Sequence, residues 1–280
     1  MRGYMRKIVK SLGVGVAFAA IAGGCALASD NLTLQTCAAI ASGISGTAIS
    51  ALYEYIDTQG QGLKMWFKTH FSKRNSDIFL SFSYLYRIEV DGKYLMVAGH
   101  RISAQYQPVG GVYKYYDEAK PFLDSIKYIV HTKNGNTDET DDLRISVKGK
   151  YLLKFYEWFS GMDNREYDPR REFFEELIEP GYLPAEKFKD FKYRKVSVHN
   201  VGLTYSEFHQ EDEWIHADIF ELKLSGEQKE LIRQAVANYP EKLCLVSPDE
   251  IKRRAQVGSD RTNLGTNAPW ILEQMGGFYG

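Results

Sequence analysis

Two stretches without a single charged side chain constrain this sequence more than anything else in it: Ser11 to Ser29 runs for 19 residues and Asn31 to Tyr53 for 23, with Asp30 alone between them. A helix needs about 20 apolar residues to cross the hydrocarbon core of a bilayer. Each stretch is therefore expected to span, over about 9–29 and 34–54. Arg2, Arg6, Lys7 and Lys10 precede the first, and Lys64, Lys68, Lys73 and Arg74 follow the second. That bias predicts a transmembrane hairpin in the cell inner membrane with both ends, and the rest of the chain, in the cytoplasm. A cleaved signal peptide is the alternative, because Ala26-Leu27-Ala28 has the small-x-small form of a cleavage site. The second stretch would then act as the anchor, with the same cytoplasmic outcome.

Small residues recur at four-residue spacing in both segments, as Gly15, Ala19 and Gly23, as Ala39, Gly43 and Thr47, and as Ser42, Gly46 and Ser50. Stripes of this kind let helix backbones approach closely, either within one hairpin or between protomers that cluster on activation. Neither segment carries an Asp, Glu, Lys or Arg at its centre, so no proton relay or transporter is indicated. The lipid bilayer is the expected partner of this part. Residues 57–77 follow as a basic linker in which Leu63, Trp66, Phe67 and Phe71 share one helical face. Such a helix lies on the inner membrane surface or docks on the domain that follows.

Residues 78–280 have the composition of an ordinary globular domain. Over the whole chain 35 basic and 36 acidic residues nearly cancel, so no field argues for nucleic acid as a partner. Cys25, Cys37 and Cys244 are too scattered for a disulfide framework or a CxxC knuckle. There is no Walker A loop, GxSxG elbow or HExxH pair, which disfavours ATP phosphotransfer, serine hydrolysis and zinc chemistry.

Alternating apolar and β-branched residues predict strands over Phe79 to Val90, Tyr94 to Ala98, Lys192 to Val201, Trp214 to Leu224 and Leu243 to Val246. Asp91-Gly92-Lys93 forms the turn of an opening hairpin, and helices are expected over Ser225 to Asn238 and Pro248 to Gln256. Asn134 to Asp142 reads as a solvated polar loop. The class is mixed α+β.

One stretch carries chemistry. Between Asp168-Pro169, which start a helix, and Pro180-Gly181, which stop it, Glu172, Glu175 and Glu176 fall within an arc of about 100° on an α-helical wheel. Phe173, Phe174, Leu177 and Ile178 cover the other side. Clustered carboxylates at this spacing are hard oxygen ligands for magnesium, and equally form an ordinary solvated acidic face. Glu211, Asp212 and Glu213 are read as a loop that could add a further ligand.

Arg171-Glu172-Phe173-Phe174-Glu175-Glu176 resembles the R-E-U-x-E-E core of the Nudix box, and Pro108-Val109-Gly110-Gly111 resembles the glycine pair that opens it. The resemblance implies a Nudix-like mixed sheet with flanking helices. It makes Glu172, Glu175 and Glu176 the metal ligands, gives Arg171 the task of orienting the carboxylates, and places a nucleotide at the glycine loop. Glu175 and Glu176 are the candidate catalytic residues if the domain hydrolyses. Three departures stand out: Asp117 occupies the position of the first glutamate, Ile178 replaces a glycine, and 53 residues rather than seven separate Asp117 from Arg171. Tyr113, Tyr115 and Tyr116 follow the glycine pair, with Tyr113 and Arg171 the candidate contacts to base and phosphate.

Two N-terminal membrane helices joined to such a domain resemble the SMODS-associated Nudix proteins, the membrane effectors found beside CD-NTases in bacterial CBASS antiviral operons. This implies that a CD-NTase makes a cyclic nucleotide during infection, that the Nudix-like domain senses it, and that the membrane segments then disrupt the inner membrane. The interrupted motif favours a catalytically silent sensor. The alternative is a membrane-anchored, magnesium-dependent hydrolase of nucleoside-diphosphate-linked substrates.

Overall fold

The structure, a computed structural model, describes residues 72–99, 105–131, 141–207, 210–257 and 264–272. The expected spans 9–29 and 34–54 lie outside them, as do residues 57–71 of the linker. Among the described residues no helix is long and apolar enough to cross a membrane. The expected architecture of a Nudix-like domain preceded by a two-helix transmembrane hairpin is therefore corrected: what the structure contains is the α+β domain.

Its strands form two sheets. The larger runs in the order β6-β7-β1-β9-β8, with β5 also paired to β1. Here β1 is Asp77–Arg87, β5 Gly110–Val112, β6 Ile129–Val130, β7 Arg144–Lys148, β8 Lys192–Ser206 and β9 Glu211–Lys223. The central pair, β1 and β9, is parallel and in register from Ile78↔Asp212 to Arg87↔Glu221. Strand β1 lies inside the sheet and is buried along most of its length, and its sequence is accordingly dominated by apolar and aromatic residues. The smaller sheet has β3 (Lys93–Ala98) at its centre, flanked by β10 (Leu243–Val246), β2 (Glu89–Val90) and β4 (Tyr106–Pro108).

The opening hairpin forms, though not from one strand. Phe79 to Val90 breaks at the buried Ile88, and the chain leaves the large sheet as β1 to enter the small one as β2. Asp91 and Gly92 then take φ values of 53° and 76°, the pairing of positive angles that a two-residue turn demands. Between the sheets lies an apolar cluster that includes Leu85, Met96, Ala217, Ile219, Val246 and Ile271.

Helices pack around both sheets. These are α1 (Lys120–Ser125), α2 (Leu152–Gly161), α3 (Arg170–Phe173), α4 (Ala185–Phe188), α5 (Gly226–Asn238) and α6 (Pro248–Val257). Of them, α2 lies on the large sheet and α5 against β2 and β10 of the small one. Ser225 caps α5 reciprocally with Gln228. The residues that interrupt the motif are no external excursion. Their strand β7 pairs with the first half of β1, and Phe155 and Phe159 of α2 pack edge-on against Phe82 at 5.1 and 4.6 Å. Each such buried aromatic contributes on the order of 2 kcal/mol, so the interruption is part of the core.

Candidate functional site

The glycine pair pairs with β1 at Leu85↔Gly110 and Tyr84↔Gly111, and α3 crosses directly above it. Glycine is needed at both positions for different reasons. Gly110 has φ +148°, and a Cβ there would stand 2.2 Å from the Tyr84 carbonyl oxygen. At Gly111 a Cβ would stand 1.9 Å from Oε1 of Glu172. The glycines thus let β5 lie against β1 and let the glutamates of the helix lie against β5. Loop and helix meet in space despite the interrupting residues.

The helix itself departs from its sequence reading. After α3 the chain widens into a π turn over Phe174–Ile178, closed where the Glu179 amide donates to the Phe174 carbonyl at 2.9 Å. An even arc of carboxylates assumes an unbroken α-helix. Instead Glu175 is exposed, Glu172 half-buried and Glu176 buried, where Glu176 Oε2 accepts the Gly110 amide at 3.0 Å. Burial pushes the Glu176 carboxyl up to about 8, and hydrogen bonds from Gly110 and Gln107 offset only part of that. Glu172 is raised for the same cause, with Arg171 opposing it.

Arg171 holds the cluster together. Its Nε and Nη2 donate to the two oxygens of Glu166 at 3.0 and 3.2 Å, Nη2 also donates to the Val112 carbonyl at 2.8 Å, and Nη1 donates to Glu172 at 2.7 Å and Glu175 at 3.2 Å. Burial would lower its pKa, but the bonds to Glu166 and the surrounding carboxylates hold it above its ordinary range. Glu166 also accepts the Lys114 amide at 3.1 Å and the Tyr84 hydroxyl at 3.3 Å.

Glu166 is the residue sequence spacing missed. Asp117, at the expected distance from the glycines, is exposed and pairs with Lys120 at 2.8 Å. The interrupting chain falls instead between Gly111 and Glu166, and Glu166 stands five residues before Arg171. No pattern marks it out from other glutamates in that interval.

A family model for the SMODS-associated NUDIX domain matches residues 77–272. The chain belongs to the SMODS-associated Nudix family. Membership brings the antiviral-defence association of that family and a CBASS-type effector domain. No curated protein matches the chain. Among solved structures it is similar to the E. coli ORF135 protein, at 13% identity and a TM-score of 0.25 over 70% of this chain and 89% of that one. A likeness that loose bears on neither fold nor activity.

Nudix domains are generally magnesium-dependent. In this SMODS-associated Nudix domain the expected ligands do not fit a metal as they stand. Glu172 and Glu175 are engaged by Arg171, and Glu176 is buried on the Gly110 amide. Among the described residues no three His, Cys, Asp or Glu side chains are arranged to hold an ion. Glu211, Asp212 and Glu213 do not join them: they begin β9, with Asp212 opposite Ile78, roughly 20 Å along β1 from the glycines at about 3.3 Å per residue. There Asp212 pairs with Lys73 at 2.9 Å.

The tyrosines divide. Tyr113 is 1% exposed, with its hydroxyl donating to Asp218 at 2.8 Å, so it presents no ring face to a base. Tyr115 is buried too. Tyr116 is 47% exposed beside the cluster, its amide tied to the Asn164 carbonyl at 3.0 Å.

Proposed function

We propose that this SMODS-associated Nudix domain senses a cyclic nucleotide, made by a CD-NTase in response to phage, and does not hydrolyse it. This makes it the ligand-reading part of a CBASS effector whose action ends in cell death. The reading sets the domain in the cytoplasm, where such a nucleotide is made. Nothing in it depends on residues 9–29 and 34–54.

The observation that carries the proposal is the saturation of Arg171. Family membership brings a nucleotide-handling scaffold, with its glycine pair and acidic helix assembled. The carboxylates that would have to hold a metal ion against a phosphate are instead bound to the guanidinium of Arg171 and to the Gly110 amide. A site held this way is preorganised for binding, whereas turnover demands ligands placed within about 0.5 Å of a productive geometry. A bound nucleotide then acts by preferring one conformation of the effector, since a ligand shifts an equilibrium only by its differential affinity.

Hydrolysis is the second reading, and one observation favours it: Glu172 and Glu176 both reach the glycine pair. Calorimetric titration of the full chain with cyclic dinucleotides and trinucleotides tests the proposal. Binding without magnesium, weakened tenfold or more by Arg171→Gln, is expected. Absence of binding to any of them contradicts it.

A further inference from the structure

Arg170 and Arg171 are neighbours with opposite circumstances. Arg171 has its donors engaged, whereas the Arg170 side chain is 43% exposed and holds two long contacts, Nη1 to Asp168 at 3.5 Å and Nη2 to the Phe191 carbonyl at 3.3 Å. Its Nε is buried with no hydrogen-bond partner. So is the hydroxyl of Tyr86, a side chain with no exposed surface. Both side chains pack on Phe191, the Arg170 guanidinium 5.4 Å from its ring centroid and the Tyr86 ring 6.1 Å from it. Buried polar atoms in native structures almost always find a partner, so two left unpartnered around one ring set this spot apart from the rest of the core.

Aromatic rings surround this spot. The Tyr193 ring centroid is 5.6 Å from the Arg170 guanidinium, with its hydroxyl donating to Asp168 at 3.1 Å. Tyr167 is 66% exposed, the largest exposure of any large hydrophobic residue described. It directly follows Glu166, whose amide donates to the Lys114 carbonyl at 2.8 Å, so its backbone is anchored while its ring stands in solvent. Tyr167 directly precedes Asp168, whose carboxylate accepts both the Tyr193 hydroxyl at 3.1 Å and the long Arg170 contact at 3.5 Å, so the three side chains leave the chain around one carboxylate. A ring held out in solvent beside a loosely held arginine is what a nucleotide needs: a π-face for its base and a cation for its phosphate.

We propose that Tyr167, Arg170 and Tyr193 form the base and phosphate subsite of the nucleotide site. The base stacks on Tyr167, and Arg170 exchanges its two long contacts for the phosphate next to it, beside the Tyr193 ring. The inference rests on the sensor reading above and supplies the groups that Tyr113 and Arg171 cannot. It takes any nucleotide with a free base face, and the panel of probes sets which one.

The experiment is a binding titration of the full chain with cyclic di-adenylate, cyclic di-guanylate and cyclic tri-adenylate. For the probe that binds wild type best, Tyr167→Ala is expected to weaken binding about tenfold or more, and Tyr167→Phe to leave it unchanged. Arg170→Gln is expected to weaken binding and to flatten its salt dependence, as loss of a phosphate contact does. Tyr205→Ala, at a 59% exposed tyrosine near the far end of β8, serves as the control and leaves affinity unchanged. Tyr167 is exposed, so its loss leaves the unfolding midpoint where it was. Wild-type affinity in Tyr167→Ala overturns the subsite and leaves the sensor standing. Failure of wild type to bind any probe removes both.

Discussion

Two carboxylates are buried against the strands that flank β1, and their surroundings set them apart. Asp218 on β9 accepts the Tyr113 hydroxyl at 2.8 Å, and Lys195 at 2.7 Å and the His216 ring at 3.0 Å meet its other oxygen. Burial alone would raise its pKa, but His216 and Lys195 outweigh burial and hold it at about 2. Glu176, over β5, meets the Gly110 amide and the Gln107 side chain and has Glu172 and Glu175 for neighbours, so burial prevails and it sits at about 8. A buried charge with enough donors is part of the fold. One left short of them is a place where a proton or a ligand is still wanted.

The largest effect expected along this divide is at Gly110. An added Cβ would meet the backbone of Tyr84 and Leu85 at 2.2 and 2.9 Å, atoms that cannot swing aside. Gly110→Ala should cost roughly 3 kcal/mol or more, read as a fall in thermal midpoint and urea midpoint.

Next comes Asp218→Asn. The change leaves Lys195 without its carboxylate and His216 and Tyr113 with a poorer acceptor. A loss of about 2–3 kcal/mol at pH 7 is expected in urea unfolding, with nucleotide affinity unchanged. Because the folded pKa is depressed, the stability Asp218 contributes is present above its unfolded value near 4 and disappears as pH falls toward about 2. Wild type and variant should therefore converge in acid.

Glu176 predicts the opposite slope. With a folded pKa of about 8 against an ordinary 4.5, the folded chain keeps a proton that the unfolded chain has shed. Stability from this group is full below 4.5 and declines as pH rises to about 8. Glu176→Gln should flatten that decline when urea midpoints are compared at pH 5 and pH 8. An unchanged slope would show that Glu176 is ionised in the fold.

The smallest effect on stability is expected at Gly111. Its Cβ would meet the carboxylate end of Glu172, which can rotate away. Gly111→Ala should cost about 1 kcal/mol or less while moving Glu172 off the glycines, so affinity should fall although the fold persists.

Strand β10, helices α5 and α6 and most of β8 and β9 were legible because alternation and helix-starting residues agree locally, whereas Glu211 to Glu213 read as a loop and belong to β9. The break at Ile88 was not, since the apolar pattern of β1 runs on into β2 while the chain changes sheets. The acidic helix and glycine pair could be recognised, but not the π turn that buries Glu176, because helical-wheel geometry presumes α periodicity throughout. Glu166 was hidden by sequence distance: the spacing that pointed to Asp117 ignores the strands and helix packed between. Tyr113, Tyr115 and Tyr116 look alike as letters, and only the fold turns the first two inward.

On the proposed reading, this SMODS-associated Nudix domain binds nucleotide at the Arg171-locked site without cleaving it. The most direct test incubates the purified full chain with magnesium and either a cyclic nucleotide or a nucleoside-diphosphate-linked substrate, and follows release of mononucleotide by chromatography. Bound, intact nucleotide is expected, with no release above that of the Glu175→Gln, Glu176→Gln double variant. Magnesium-dependent mononucleotide release by wild type that the double variant loses would contradict it.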